Sequence, residues 1–528
     1  MIKTNLQTSE RNNDTTRANP TATWCGHVHL RITGIFIPRY TVTAVGRHGS
    51  RTSNAPVVRH LAARRRSRCA AVGRLLLRPS AATDADRDDG ALYLSPMIRD
   101  GRIDEARAAC KVHLQTNNGA VAAVDSCAGY LTVDEAHDSN LFFWFFPAAN
   151  RTSGDAPVVL WLQGGPGAPS LYSVFNEHGP FAVDAAGGLL PRRYAWTSTH
   201  SMLYVDNPVG VGYSFTGDEE GYSGNQTAVA RNMYAALVQF FALFPEYRDN
   251  EFYAAGESYA GKYVPAVSYA IHQNNPGAQV KINLKGLAIG NGLIDPVNQM
   301  VYSDFLFQYG LIDEDGKRLF KEQEDLARDR IASGDYRAAY DAMTKMMITT
   351  PSLYRQLTGM RNIYNVVWNK NPIPYEGGLW DRYVQRQGRA ALHVGRRPWS
   401  SVDVVYDRLK YDIPLSVAPW LAELLDAGRY RVLLYSGQLD AIVPYRGTVN
   451  VARALRWTGA EQFRNATRSI WRPDCSPQCS VSEVAGYVTA YGPLTVLLVR
   501  NAGHMVPYDQ PAWALDMIDR FTSGKPFH

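Results

Sequence analysis

From residue 130 onward, short apolar runs alternate with stretches of helical spacing. Tyr130 to Val133 and Leu141 to Phe146 predict two paired strands joined by a polar turn. Val158 to Leu162 is short and fully apolar, which suits a central strand buried on both faces. Ser201 to Val205, Phe252 to Ala255 and Leu284 to Ile289 predict further strands, while Ala228 to Phe244 and Lys262 to Ile271 carry helical spacing. The rhythm returns with strands at Tyr430 to Gly437 and Leu494 to Val499, and a helix from Pro511 to Phe521. This alternation predicts an α/β fold: a mostly parallel central sheet with helices on both faces.

Between about 296 and 415 the pattern breaks. Charged and aromatic residues dominate there, with helices predicted over Glu314 to Ser333 and Tyr336 to Met347. An insertion at this point would sit above the C-terminal edge of the sheet, so it is expected to form a helical cap that shapes access to a site. Phe142 to Phe146 is very apolar but short. No run approaches the roughly 18 residues of a membrane span, so no membrane span is predicted.

Charge changes the picture at one end. The formal net charge of the 528 residues is +6, yet residues 1–85 hold fourteen Lys or Arg against three acids. Removing those eleven positive charges leaves −5 for the remainder, which argues against nucleic acid as a partner of the folded body. Residues 1–90 are Arg-rich and lack periodicity, so they are expected to lie outside the fold, as a disordered basic leader or a mis-assigned start. The folded domain is expected over 91–528. Cys25, Cys69, Cys110, Cys127, Cys475 and Cys479 allow 15 pairings, and Cys475 with Cys479 would close a small loop. Sequons at Asn13, Asn150, Asn225 and Asn465, together with disulfides, lean toward a secretory route. Met1 to Asn19, by contrast, has no apolar signal region.

Three local contexts carry chemistry. Ser258 lies between small residues in Gly256-Glu257-Ser258-Tyr259-Ala260-Gly261, directly after a predicted strand. That context is the nucleophile elbow of an α/β-hydrolase. Asp440 follows the strand that ends at Gly437, and His504 follows the strand that ends at Val499. The order Ser, Asp, His is the α/β-hydrolase order. Ser258 needs a base to take its proton, which His504 supplies, and Asp440 fixes the imidazole tautomer. An oxyanion hole needs two backbone N–H groups. Tyr259 offers one, and the loop Gln163-Gly164-Gly165-Pro166-Gly167, placed directly after a strand, offers the other at Gly165. No Lys-Ser/Thr follows those glycines, so a nucleotide-phosphate loop is a poor fit. No metal and no cofactor is called for.

These stretches resemble the serine carboxypeptidase family, most closely its vitellogenic-like branch. The resemblance rests on Trp161 to Gly167, on Asp206-Asn207-Pro208-Val209-Gly210-Val211-Gly212-Tyr213-Ser214 and on Gly256 to Pro265. Gly290-Asn291-Gly292, Gly503 to Pro507 and Asn176-Glu177-His178-Gly179-Pro180 add to it, and the resemblance covers roughly residues 91–528. The resemblance implies that Trp161, Gln163, Gly164, Glu177 and Glu257 bind the terminal carboxylate of a peptide. It implies peptide or protein C-termini as partners, a lysosomal or secreted location, and release of single residues through an acyl-enzyme. Two carboxyls beside a substrate carboxylate must share protons to avoid repelling it, so an acidic optimum is expected.

Three positions depart from the family pattern. Gln163 is one methylene longer than the usual Asn, Ala168 replaces a frequent cysteine, and Pro169 stiffens the loop and removes an N–H donor. Two rival readings remain at this level: an acyltransferase on the same scaffold, and a weakly active protein that binds or protects. Oligomeric state is not legible in the chain.

Overall fold

The computed structural model describes residues 89–114, 116, 118–152, 154–372, 377–474 and 483–527. Twelve strands occur among them: β1 (Cys127–Asp134), β2 (Ser139–Phe146), β3 (Val158–Leu162), β4 (Phe181–Val183), β5 (Leu189–Pro191), β6 (Ser201–Val205), β7 (Phe252–Glu257), β8 (Leu284–Gly290), β9 (Arg431–Gly437), β10 (Ser469–Trp471), β11 (Gly486–Tyr491) and β12 (Leu494–Val499). Ten of them form one sheet in the order β1-β2-β6-β3-β7-β8-β9-β12-β11-β10, and β4 with β5 forms a separate hairpin. The six strands from β6 to β12 in that order run parallel, and antiparallel strands extend the sheet on either side. This mixed, mostly parallel sheet with helices is the α/β-hydrolase fold.

Strand periodicity of two explains why the central runs are apolar throughout. In β9, Val432 and Leu434 enter one apolar cluster, while Leu433 and Tyr435 enter the cluster on the opposite face. In β3, Val158, Leu160 and Leu162 face the first cluster and Val159 and Trp161 the second. The helix Gln226–Leu243 covers the first face with Val229, Met233, Ala236, Leu237, Phe240 and Phe241. Its N-terminus is capped by Asn225, whose Oδ1 accepts the Ala228 N–H at 2.9 Å. The helix Pro511–Ser523 covers the second face through Trp513, Ala514, Met517 and Ile518.

The predicted strands at Val158–Leu162, Ser201–Val205 and Leu494–Val499 match the observed spans, as does the helix Tyr336–Met347. β1 starts earlier than the apolar run suggested, at Cys127, which a disulfide joins to Cys110 with 4.8 Å between Cα atoms. The small loop expected at Cys475 and Cys479 lies outside the described residues, as do Cys25 and Cys69. So does the leader expected over 1–90, apart from Asp89 and Gly90; Asp89 pairs with Arg397 at 2.5 Å. The hairpin of β4 and β5, the edge strand β10 and its neighbour β11 have no counterpart in the predicted elements.

Between β8 and β9 the described chain is helical, including Tyr302–Gln308, Glu314–Ala332, Tyr336–Met347 and Val402–Leu409. It returns to the layer on the sheet through the helix Ala418–Asp426, where Trp420 stacks on Tyr269 of the helix Ala260–Asn274 at 5.6 Å. None of the described helices is long and apolar enough to cross a membrane.

Leu434 has no exposed surface and sits mid-strand in the parallel block. Leu434→Ala is expected to lower the unfolding free energy by about 2–5 kcal/mol, read from urea denaturation followed by tryptophan fluorescence.

Candidate active site

The sharpest local feature is at the end of β7. Ser258 has φ of +67°, a left-handed conformation that a non-glycine residue adopts only when its surroundings impose it. The surroundings do so here: the Ser258 N–H donates to Gly290 O, and Ser258 O accepts from the N–H groups of Gly261 and Leu293, each at 2.9 Å. The turn throws the side chain onto a cavity of about 270 Å³ that Gly165, Ala168 and Tyr259 also line. Gly164 passes directly over the elbow. A Cβ there would stand 2.5 Å from Tyr259 N and 2.6 Å from Ser258 Cβ, so only glycine permits this approach.

Asp440 and His504 meet at the ends of neighbouring parallel strands. His504 Nδ1 lies 2.7 Å from Asp440 Oδ2, with both side chains fully buried. Asp440 also accepts from Asn291 Nδ2 at 2.6 Å and from the N–H groups of Ile442 at 2.9 Å and Val443 at 3.2 Å. A buried carboxyl with that many partners is held in one orientation. His504 Nε2 is buried and has no hydrogen-bond partner among the described residues. The His504 ring packs on Tyr364, which lines the same cavity as Ser258, with 5.3 Å between ring centres.

Beside the elbow lies a closed polar cluster. Trp161 Nε1 donates to Ser173 Oγ at 2.8 Å and to Gln163 Oε1 at 3.2 Å. Gln163 Nε2 donates to Glu257 Oε1 at 2.9 Å and reaches Glu177 Oε1 at 3.4 Å. Ser173 Oγ is 3.0 Å from both Gln163 Oε1 and Glu177 Oε1. The longer Gln163 side chain therefore still spans both acids. Burial pushes the Glu177 carboxyl up to about 7, against the hydrogen bonds from Ser173 and Glu257 that pull it down. Glu257 is held well above the usual carboxylate range, by burial first and by the neighbouring Glu177 charge second. The pair thus keeps a proton between its members at mildly acidic pH.

The residues singled out in the sequence fall into these groups. Trp161, Gln163, Glu177 and Glu257 form the polar cluster, Asp440 meets His504, and Ser258, Gly165 and Tyr259 line the cavity. Asn150, Asn225 and Asn465 are all exposed. Two participants had been assigned no role. Asn291 orients Asp440, and its position in Gly-Asn-Gly at the C-terminal end of an apolar strand was the available signal. Ser173 ties three cluster members together, and nothing in the spacing of the chain marks it.

The sequence profile of the family described as serine carboxypeptidase matches residues 117–524. A venom serine carboxypeptidase of Apis mellifera is 47% identical over 441 residues, covering 83% of this chain and 91% of the relative. A vitellogenic carboxypeptidase of Aedes aegypti is 41% identical over 454 residues, covering 85% and 93%. Among solved structures, a prohormone-processing carboxypeptidase of Saccharomyces cerevisiae superposes with a TM-score of 0.68 at 25% identity, covering 79% of this chain and 96% of that one.

The acid pair makes stability depend on pH. A buried carboxyl whose pKa rises on folding stabilises the fold fully below its ordinary value of 4.5, and that contribution is lost as pH climbs toward about 7. Glu177→Gln is expected to flatten this decline, seen as a smaller drop in urea midpoint between pH 4.5 and pH 7.5 than in the unmodified chain.

Proposed function

The chain belongs to the serine carboxypeptidase family and is a serine-type carboxypeptidase, and from that premise we propose that it releases single C-terminal residues through an acyl-enzyme at acidic pH. The observation that carries this reading is the proton-sharing pair Glu177 and Glu257, bridged by Gln163, immediately beside Ser258. Glu257 precedes the serine in the chain, so a carboxylate bound at the pair lies about one residue from the attacked carbonyl. The cluster is buried, which strengthens any charge interaction made there.

In the forward step Ser258 Oγ attacks the carbonyl carbon of the last peptide bond, and His504 Nε2 takes the hydroxyl proton. Asp440 holds the Nδ1–H and stabilises the imidazolium. The N–H groups of Gly165 and Tyr259 receive the oxyanion. When the C–N bond breaks, His504 returns the proton to the leaving amine. Water then enters with His504 as base, and the acyl group departs as a free acid. Trp161 and Gly164 complete the cradle for the terminal carboxylate, Trp161 by fixing Gln163 and Gly164 by lining the approach. The shared proton lets the pair accept the substrate anion; once it is lost, two like charges face a third.

The residue before the scissile bond would occupy the 270 Å³ cavity. Among the described residues its lining joins Ser258 and Tyr259 to Tyr302, Met343, Met347 and Ile413, carries no charged residue, and includes neither Gln163 nor either acid of the pair. The acyl side of the substrate is therefore apolar in this reading. Exposed sequons and the Cys110–Cys127 disulfide support a lysosomal or secreted setting.

Release of Leu from carbobenzoxy-Phe-Leu should be faster at about pH 5 than at pH 7.5, with the change carried by KM, and Ser258→Ala should lower kcat by on the order of 10⁴–10⁶. Serine-dependent release that is fastest at neutral pH would keep the triad and remove the acid-pair account. Replacing the Phe of that substrate by Glu or Lys should reduce kcat/KM by at least ~10-fold, because the apolar cavity offers no partner for a charge.

A further inference from the structure

Behind the cavity wall lies a second buried charged cluster that the reaction as described does not use. Asp412 Oδ2 accepts from Tyr259 OH at 2.6 Å and from Gln226 Nε2 at 2.8 Å. Gln226 Nε2 is also 3.1 Å from Tyr259 OH. Lys262 Nζ stands 3.9 Å from Asp412 Oδ2 and donates to the backbone carbonyl of Leu415. The Lys262 side chain has no exposed surface and that of Asp412 is 4% exposed. A charge this deep is costly unless its partners are fixed, so the cluster has one geometry rather than many.

Its location gives it consequence. Tyr259 is the residue whose backbone N–H follows Ser258. Its phenol reaches away from the elbow and ends on Asp412, in the turn that follows the helix Val402–Leu409. The same segment supplies Val402, Tyr406 and Ile413 to the cavity wall. Lys262 lies in the first turn of the helix that begins just after the elbow, and it grips the same turn of the insertion at Leu415. The elbow is thus fastened to the insertion at two points, and Gln226 closes the arrangement from the neighbouring helix.

We propose that Asp412 is a positioning residue for catalysis, which clamps the Tyr259 phenol and thereby fixes the Tyr259 N–H that receives the oxyanion. The proposal rests on the reading of Ser258 and Tyr259 given above. An N–H aimed at the tetrahedral oxygen matters most when charge develops, so loosening it lowers kcat and leaves ground-state binding nearly intact. The carboxylate cluster at Gln163 is separate from the clamp and continues to set KM.

The test uses the full chain with Tyr259→Phe, Asp412→Asn, Asp412→Ala and the pair Tyr259→Phe with Asp412→Ala. Hydrolysis of carbobenzoxy-Phe-Leu at about pH 5 is measured alongside affinity for a peptide aldehyde, which forms a tetrahedral adduct. Tyr259→Phe removes one hydroxyl and nothing else. It is expected to lower kcat by roughly 10- to 100-fold with KM within about twofold, and to weaken aldehyde binding by a similar factor. Asp412→Asn keeps an acceptor for the phenol and should recover part of the loss seen in Asp412→Ala. The double variant should be no slower than the slower single one, since both break the same clamp. A Tyr259→Phe enzyme with unchanged kcat, or one altered only in KM or melting temperature, overturns the proposal. If release survives Ser258→Ala, the acyl-enzyme reading falls and the clamp's role falls with it. If serine dependence holds while Tyr259→Phe is fully active, the clamp alone is wrong.

Discussion

The left-handed turn at Ser258 is the constraint around which the site is built. It is a strained conformation, and three backbone hydrogen bonds hold it in place, one to the end of β8, one to the loop after β8 and one to Gly261 of the following helix. Because the turn is so tight, three successive residues diverge. Glu257 points into the closed polar cluster, Ser258 faces the cavity, and the Tyr259 side chain reaches back to the insertion. The polar cluster, the cavity and the buried contact with the insertion are thus all reached from adjacent positions. A loop of ordinary curvature would separate those tasks by many ångströms.

Two buried acidic centres flank this turn, and their surroundings differ. Asp440 accepts from Asn291, Ile442 and Val443 and lies against His504 Nδ1, so its orientation is set from several sides. Glu257 accepts from one amide, that of Gln163, and has a second carboxyl for a neighbour. Burial and that neighbour push its pKa up, against the amide, which pulls it down.

Much of this was legible in the chain. Strands buried on both faces write themselves as continuous apolar runs, so β3, β6 and β12 could be bounded to the residue. The serine, aspartate and histidine each follow such a run, and a parallel sheet gathers the ends of its strands at one edge. What escaped notice was of another kind. β4, β5 and β10 are three-residue strands whose pairing depends on tertiary neighbours. Ser173 and Asp412 act through partners far away in sequence, Asp412 at 153 positions from Tyr259. Local spacing carries no trace of such a contact. Asn291 lies between these cases: its motif was visible, but the acid it orients is 149 positions away.

The cavity is walled from both sides of β8. Met343, Met347, Tyr406 and Ile413 belong to the long insertion between β8 and β9, whereas Gly165, Ala168, Ser258 and Tyr259 lie ahead of β8, as do all four members of the polar cluster, Trp161, Gln163, Glu177 and Glu257. Substitutions in the insertion can therefore reshape one wall of the cavity while the serine, its neighbours and the polar cluster are inherited unchanged.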